Sequence, residues 1–423
     1  LVIGAGPAGL AVAAGLRNTG VECLVVDQGP APGERDAENP AHLVTGVGGA
    51  GLFSDGKFSF YPSASGLWSL SPERDLRLAY DAMAKAVSPS GLEIPAYPRW
   101  LPDSSSQSAF RMKCYPSTYV SMEERARLTM RLVDSVGPDN LLTGTRAVEA
   151  GEAPGGLIAV GLRPARVTGG LGIDNPTVLC RALVLAGGRF GPLSCDVRLR
   201  GLRSVFRRLE MGVRIEQPAD DFFLRHEPAL DPKLMWADRS GRYSWRTFCC
   251  CREGRVVATD FDGWVTLSGR ADCPPTGRSN VGFNVRVSEE SEAALLWREA
   301  SLLSEGTPPA LGMPLADFVA ARGTVTGGTL RQRLGEQGAA LLVEGLGRLT
   351  EGLGARRLVN AFVSGPTLEG VGHYPWTGPE LMADGSPVWA VGDTTGRFRG
   401  ITAAIVSGFF AARRITEHFG RRS

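Results

Sequence analysis

Gly4, Gly6 and Gly9 follow a G-x-G-x-x-G spacing, and an aspartate, Asp27, stands 23 positions beyond the first of them. Phosphate binding accounts for this spacing. Gly4 makes a tight turn, Gly6 lets a pyrophosphate come close to bare backbone, and Gly9 lets a helix pack against a strand. Pro7 and Ala8 open that helix, whose first N–H groups face the phosphates. Asp27, followed by Gln28, can accept hydrogen bonds from ribose hydroxyls. The elements that must position these residues are visible: "LVI" is an apolar strand, "PAGLAVAAGL" an alanine-rich helix and "CLVV" a second strand. Together they read as a dinucleotide-binding unit.

A second constellation lies near the C-terminus. There "SPVWAV" forms a strand, Gly392 and Asp393 follow directly, and Gly400, Ile401 and Thr402 open a helix of small residues. An aspartate after a strand can accept hydrogen bonds from a ribitol chain, and a helix N-terminus aimed at N1 and O2 of a flavin stabilises negative charge there. NAD has neither group, so the pattern predicts FAD. In "CRALVLAGGRFGP", Ala186, Gly187 and Gly188 end another apolar strand, either as a return to the same sheet or as a plain strand-to-turn corner.

The segments "IGAGPAG", "VVDQG", "LAGGRFG" and "AVGDTTGRFRGITAA" resemble the glutathione-reductase-type FAD superfamily. More narrowly, "GVGGAGLFSDGKFSF", "MGVRIEQP" and "TFCCCREGRVV" resemble a poorly characterised group of FAD-dependent dehydrogenases with a glycine run before S-D-G-K, a G-V-R-x-E strand and F-C-x-C-x-x-G. The resemblance covers residues 1 to about 415. It implies an α/β fold, with a Rossmann-like FAD-binding domain of glutathione-reductase type and an inserted α+β substrate domain. It also implies that Gly48, Gly49, Ala50 and Gly51 approach the pyrophosphate or the isoalloxazine edge, and that Val148 neighbours the adenine. Lys57 would stabilise charge around N1 or contact an anionic substrate, unless it points from a strand to solvent. Arg35 would serve the phosphates or form a surface salt bridge. The sequence departs from the group at Arg252 and Glu253, where proline and glycine are usual, and in a less acidic C-terminal run.

These signals place an FAD-binding domain over residues 1–200 with a helical insertion at about 65–137, a substrate domain over 201–335, and the rest of the FAD-binding domain over 336–423. Within the insertion, Ser71 and Pro72 read as N-cap and first helical residue, and Ser121 with Glu124 as a capping box. Residues 140–164 alternate like a hairpin turning at Pro154, Gly155 and Gly156. "VEGLGRLTEGLG" is helical with no strand before it, so no second dinucleotide-binding domain is expected. His373 and Tyr374 in "VGHYPW" can act as acid, base or hydrogen-bond donor, or belong to packing. Cys249 and Cys251 either form a dithiol facing the flavin or have a structural or pocket-lining role.

Composition limits the remaining possibilities. The 423 residues are 43% hydrophobic and 21% charged with a formal net charge of +2, and the arginines are dispersed, so nucleic-acid binding is not expected. No apolar run reaches the roughly 20 residues of a membrane span. Eight cysteines without paired spacings and four histidines without helical i, i+4 partners predict no metal site and a reducing, cytoplasmic setting, with no signal peptide visible at Leu1. The expected activity is hydride transfer from a small organic substrate to flavin N5. Two alternatives stand beside it: a monooxygenase using oxygen with NADPH as a transient co-substrate, and a flavoprotein with a non-redox use of FAD. The oligomeric state is not encoded in any of these features.

Overall fold

The computed structural model describes residues 1–98, 111–165, 176–300, 310–320 and 325–420. The chain forms two compact units: Leu1–Leu101, Thr118–Val205 and His373–Ser423 in the first, Pro102–Ser117 and Phe206–Gly372 in the second.

The first unit is built on a five-stranded sheet in the order Val388–Ala390, Leu183–Leu185, Val2–Ile3, Val25–Val26, Leu141–Leu142. Every pairing in it is parallel. The strands are short and apolar, and all but the edge strand Leu141–Leu142 are almost wholly buried, as a parallel sheet covered on both faces requires. Helix Pro7–Leu16 packs against this sheet and against the last helix, Ile401–Gly420, with no room for side chains at the crossings. A Cβ on Gly9 would stand 1.9 Å from the Gly4 carbonyl oxygen, and one on Gly408 would stand 2.3 Å from that of Ala8. Helix Glu73–Val87 packs on the last helix, where Asp75 holds Arg414 at 2.7 Å and Arg413 at 3.2 Å. That helix starts one residue later than expected, with Pro72 at the cap and no side-chain cap bond. Ser121 does cap its helix, its Oγ accepting the Glu124 N–H at 3.2 Å. A second sheet carries the expected hairpin, Thr145–Ala153 with Leu157–Pro164.

The second unit holds a seven-stranded sheet: Ala310–Pro314, Phe362–Pro375, Ser204–Pro218, Arg278–Val287, Tyr243–Cys251, Lys233–Ala237 and Arg111–Lys113. Residues 336–372, expected with the cofactor domain, belong here for a packing reason. Helix Glu336–Leu353 buries Leu342, Leu346 and Leu349 at helical spacing. Its Gly345 faces the Trp245 ring, whose Nε1 donates to the Leu341 carbonyl at 2.8 Å. Residues 111–113, inside the expected helical insertion, pair with Lys233–Ala237 at the sheet edge.

Gly9→Ala tests the close crossing. The added methyl should destabilise the protein by about 3 kcal/mol in a denaturant melt, whereas a change near zero would show that the helix can shift away from its strand.

Candidate functional site

The candidate cofactor residues gather where the parallel strands of the first unit end, the position at which open α/β sheets bind ligands. Gly4 has φ +105°, and a Cβ there would lie 2.5 Å from the Ala186 carbonyl oxygen, so the glycine turn rests directly on the end of strand Leu183–Leu185. Helix Pro7–Leu16 begins beyond Gly6 with no side-chain cap, leaving its first backbone N–H groups for a ligand. The glycine run packs onto this loop: Gly48 N–H donates to the Ala5 carbonyl at 2.8 Å, and a Cβ on Gly49 would lie 2.9 Å from Gly6 Cα. Gly51 sits against Pro7 and Ile401, while Ala50 is exposed. Instead of a plain loop, Gly49–Leu52 makes a single helical turn.

Two buried charges hold this arrangement. Asp27 accepts the N–H groups of Ala5 at 2.7 Å, Gly29 at 2.8 Å and Gly46 at 3.1 Å. Its carboxylate is therefore largely committed to the loop, with lone-pair capacity left on Oδ2 for a ribose hydroxyl. Burial raises its carboxyl above the ordinary range, against the opposing pull of these bonds and of Arg35. Arg35 donates to the carbonyls of Val47 at 2.8 Å, Gly49 at 2.9 Å and His42 at 3.1 Å, and lies over the Phe53 ring. Burial brings the guanidinium down to about 10, with Asp27 working the other way. The surface salt bridge offered for Arg35 from sequence does not describe this position, which is a buried clamp on residues 42–49. Gln28 is half-buried, and Val148 is half-buried at a register shift in its strand.

On the other side of the glycine loop, Gly188 accepts the Thr394 hydroxyl at 3.1 Å, Gly187 packs on Gly191, and Gly392, with φ +63°, stands against Ala8. Asp393 pairs through Oδ2 with Arg399 at 3.0 Å, but its Oδ1 is buried with no hydrogen-bond partner among the described residues. The same holds for Thr402 Oγ1, in the first turn of the last helix beyond Gly400 and Ile401. Buried polar atoms left unpaired cost about 1–3 kcal/mol each, so both mark places where a ligand group fits. A ribitol hydroxyl suits the first and a flavin carbonyl the second.

Residues 2–54 match the family model of the NAD(P)-binding Rossmann-like domain. No curated protein matches the chain. Among solved structures it is similar to 2,6-dihydroxypyridine-3-hydroxylase from Arthrobacter nicotinovorans, at 13% identity over 100% of this chain and 84% of that one, with a TM-score of 0.40. It is also similar to tetracycline destructase Tet(51), at 12% identity over 100% and 82%, with a TM-score of 0.38.

The remaining candidates fall differently. Lys57 does not point to solvent: its Nζ pairs with Asp55 at 3.0 Å and its side chain is 8% exposed. Arg125, which the sequence did not single out, is buried and donates to the Leu52 carbonyl at 3.0 Å, fixing the segment before Asp55. Tyr374 is fully buried with its ring against Gly396, and so supports the turn that carries Asp393; His373 is exposed.

The second unit carries its own candidate surface. Residues paired across a sheet share a face, so Gly212, Asn284 and Arg246 form one row and Glu210, Arg286 and Ser244 the next. Glu210 is fully buried and shared by Arg286 at 2.5 Å, Arg246 at 2.8 Å and Arg208 at 3.3 Å, leaving the local charge positive. Asn284 is fully buried, and neither of its amide atoms has a partner among the described residues. The sequence singled out none of these residues.

Asn284→Leu removes two unsatisfied groups at similar volume. It should stabilise the ligand-free protein by about 1–3 kcal/mol in a thermal melt, while a loss of stability would mean the amide is already satisfied.

Proposed function

We propose that the protein is an FAD-dependent oxidoreductase acting on a small organic molecule. The observation that carries this reading is the unpartnered buried oxygen of Asp393 at the end of a parallel strand, beside the G-x-G-x-x-G turn and the start of the last helix. NAD alone would leave that oxygen and Thr402 unexplained. When bound, the flavin would supply the two-electron redox chemistry. The protein's own groups would hold it: helix Pro7–Leu16 the phosphates, Asp27 the ribose, Asp393 the ribitol, and the last helix the N1 and O2 edge.

Of the two redox readings, the monooxygenase one now stands ahead of substrate dehydrogenation. Hydride removal from a substrate C–H needs a poised base, and two of the three groups considered for that role are engaged otherwise, Lys57 in an ion pair and Tyr374 against Gly396, while the third, His373, is exposed. Electrons would then come from NADPH docking transiently. The positive, amide-bearing face of the second unit favours a substrate with an anionic group.

Anaerobic addition of NADPH to the yellow protein should bleach the flavin band. Reduction by an organic substrate without NADPH would restore the dehydrogenase reading, and turnover with the flavin oxidised throughout would favour the non-redox one. Asp393→Ala should weaken FAD retention roughly tenfold or more, the worth of a hydrogen bond to a charged group; unchanged retention would remove Asp393 from the ribitol.

A further inference from the structure

Two thiols and a guanidinium converge at one end of the polar face of the second unit. Strand Tyr243–Cys251 shifts register against Arg278–Val287 between Phe248 and Cys251, and Cys249 takes φ +49° at the shift. Residues two apart on a regular strand stand roughly 6.6 Å from one another. Here the sulfurs of Cys249 and Cys251 lie 3.8 Å apart, with no disulfide joining them. Cys251 is fully buried and its Sγ also lies 3.5 Å from the Cys249 carbonyl oxygen, whereas Cys249 is half-buried.

Arg214 is the third member. It is 1% exposed, its Nε donates to Asn280 Oδ1 at 3.0 Å and its Nη2 to the Cys249 carbonyl at 2.8 Å. A Cβ on Gly269 would stand 2.2 Å from that Nη2 and 2.8 Å from Cys251 Sγ, so nitrogen and sulfur are at most about 5 Å apart. Both hydrogen-bond acceptors of this buried cation are neutral, and Glu369 acts on it electrostatically. A buried charge is costly unless it is well paired, and the adjacent thiols can provide a further counter-charge by ionising. Burial works to lower the guanidinium's proton affinity, yet Cys249, Cys251 and Glu369 together leave it above its ordinary value.

We propose that Cys249 and Cys251 form a redox-active dithiol, with Arg214 holding the thiolate and hydrogen peroxide as the oxidant. The Cys249 thiolate attacks one peroxide oxygen: an S–O bond forms, the O–O bond breaks, and the departing hydroxide takes a proton to become water. The sulfur loses two electrons in that step. The Cys251 thiol then attacks the sulfenic sulfur, an S–S bond forms, the S–O bond breaks, and the leaving hydroxide carries off the Cys251 proton as a second water. Two thiols and one peroxide thus give one disulfide and two waters, and nothing in this depends on the flavin.

The full chain, reduced and then treated with hydrogen peroxide at neutral pH, would be alkylated with N-ethylmaleimide and digested with trypsin. Residues 247–252 form one peptide containing all three neighbouring cysteines. The expected product has one alkylated cysteine and one internal disulfide, retained in Cys250→Ser and lost in Cys249→Ser and Cys251→Ser. Arg214→Gln should slow its formation roughly tenfold, as loss of a neighbouring cation lowers the thiolate fraction, with Arg214→Lys restoring most of the rate. Full alkylation of all three thiols, a sulfinic acid in place of the disulfide, or a disulfide lost in Cys250→Ser would each overturn the proposal. If the Arg214 variants do not fold, the wild-type and cysteine-variant peptides decide it.

Discussion

Bare backbone at one spot is the constraint on which the first unit depends. The turn at Gly4 leans on the Ala186 carbonyl, the helix at Gly9 leans on the Gly4 carbonyl, and the loop at Gly49 leans on Gly6. Three chain segments therefore meet with no side chain between them, and a pyrophosphate can approach backbone N–H groups there at close range. The arrangement needs external support because glycine-rich segments give up much conformational entropy on ordering. Asp27 ties three N–H groups together from one side, and Arg35 ties three carbonyls from the other. The two opposite charges thus order a loop that has few side chains of its own to pack.

Much of this was legible in the sequence, since spacing alone places Gly4, Gly6 and Gly9 on a turn and Asp27 at a strand end. The clamping roles were not. The partners of Asp27 and Arg35 are main-chain atoms, and a main-chain acceptor or donor leaves no trace in residue type. Arg125 was missed for the same reason, since its partner at Leu52 is a carbonyl. Asp393 and Thr402 were legible by type and position, while their unpartnered atoms became visible only in three dimensions.

The division of the chain was harder to read because its signals are long-range. The sheet of the second unit recruits Arg111–Lys113 from one side in sequence and Phe362–Pro375 from the other. A three-residue strand carries almost no periodicity. The helix at 336–353 shows the right period, but nothing in its pattern says which sheet it covers. The polar face arises likewise from rows such as Gly212, Asn284 and Arg246, contributed by strands far apart in the chain. Each strand shows its alternation; only pairing reveals what the polar positions build together.

The central claim is that the first unit holds FAD, and the most direct measurement is the flavin content of the purified protein, released by denaturation and identified by chromatography. The account predicts FAD approaching one per chain, either as isolated or after reconstitution. A protein that carries no flavin and takes up none on incubation with FAD would contradict it.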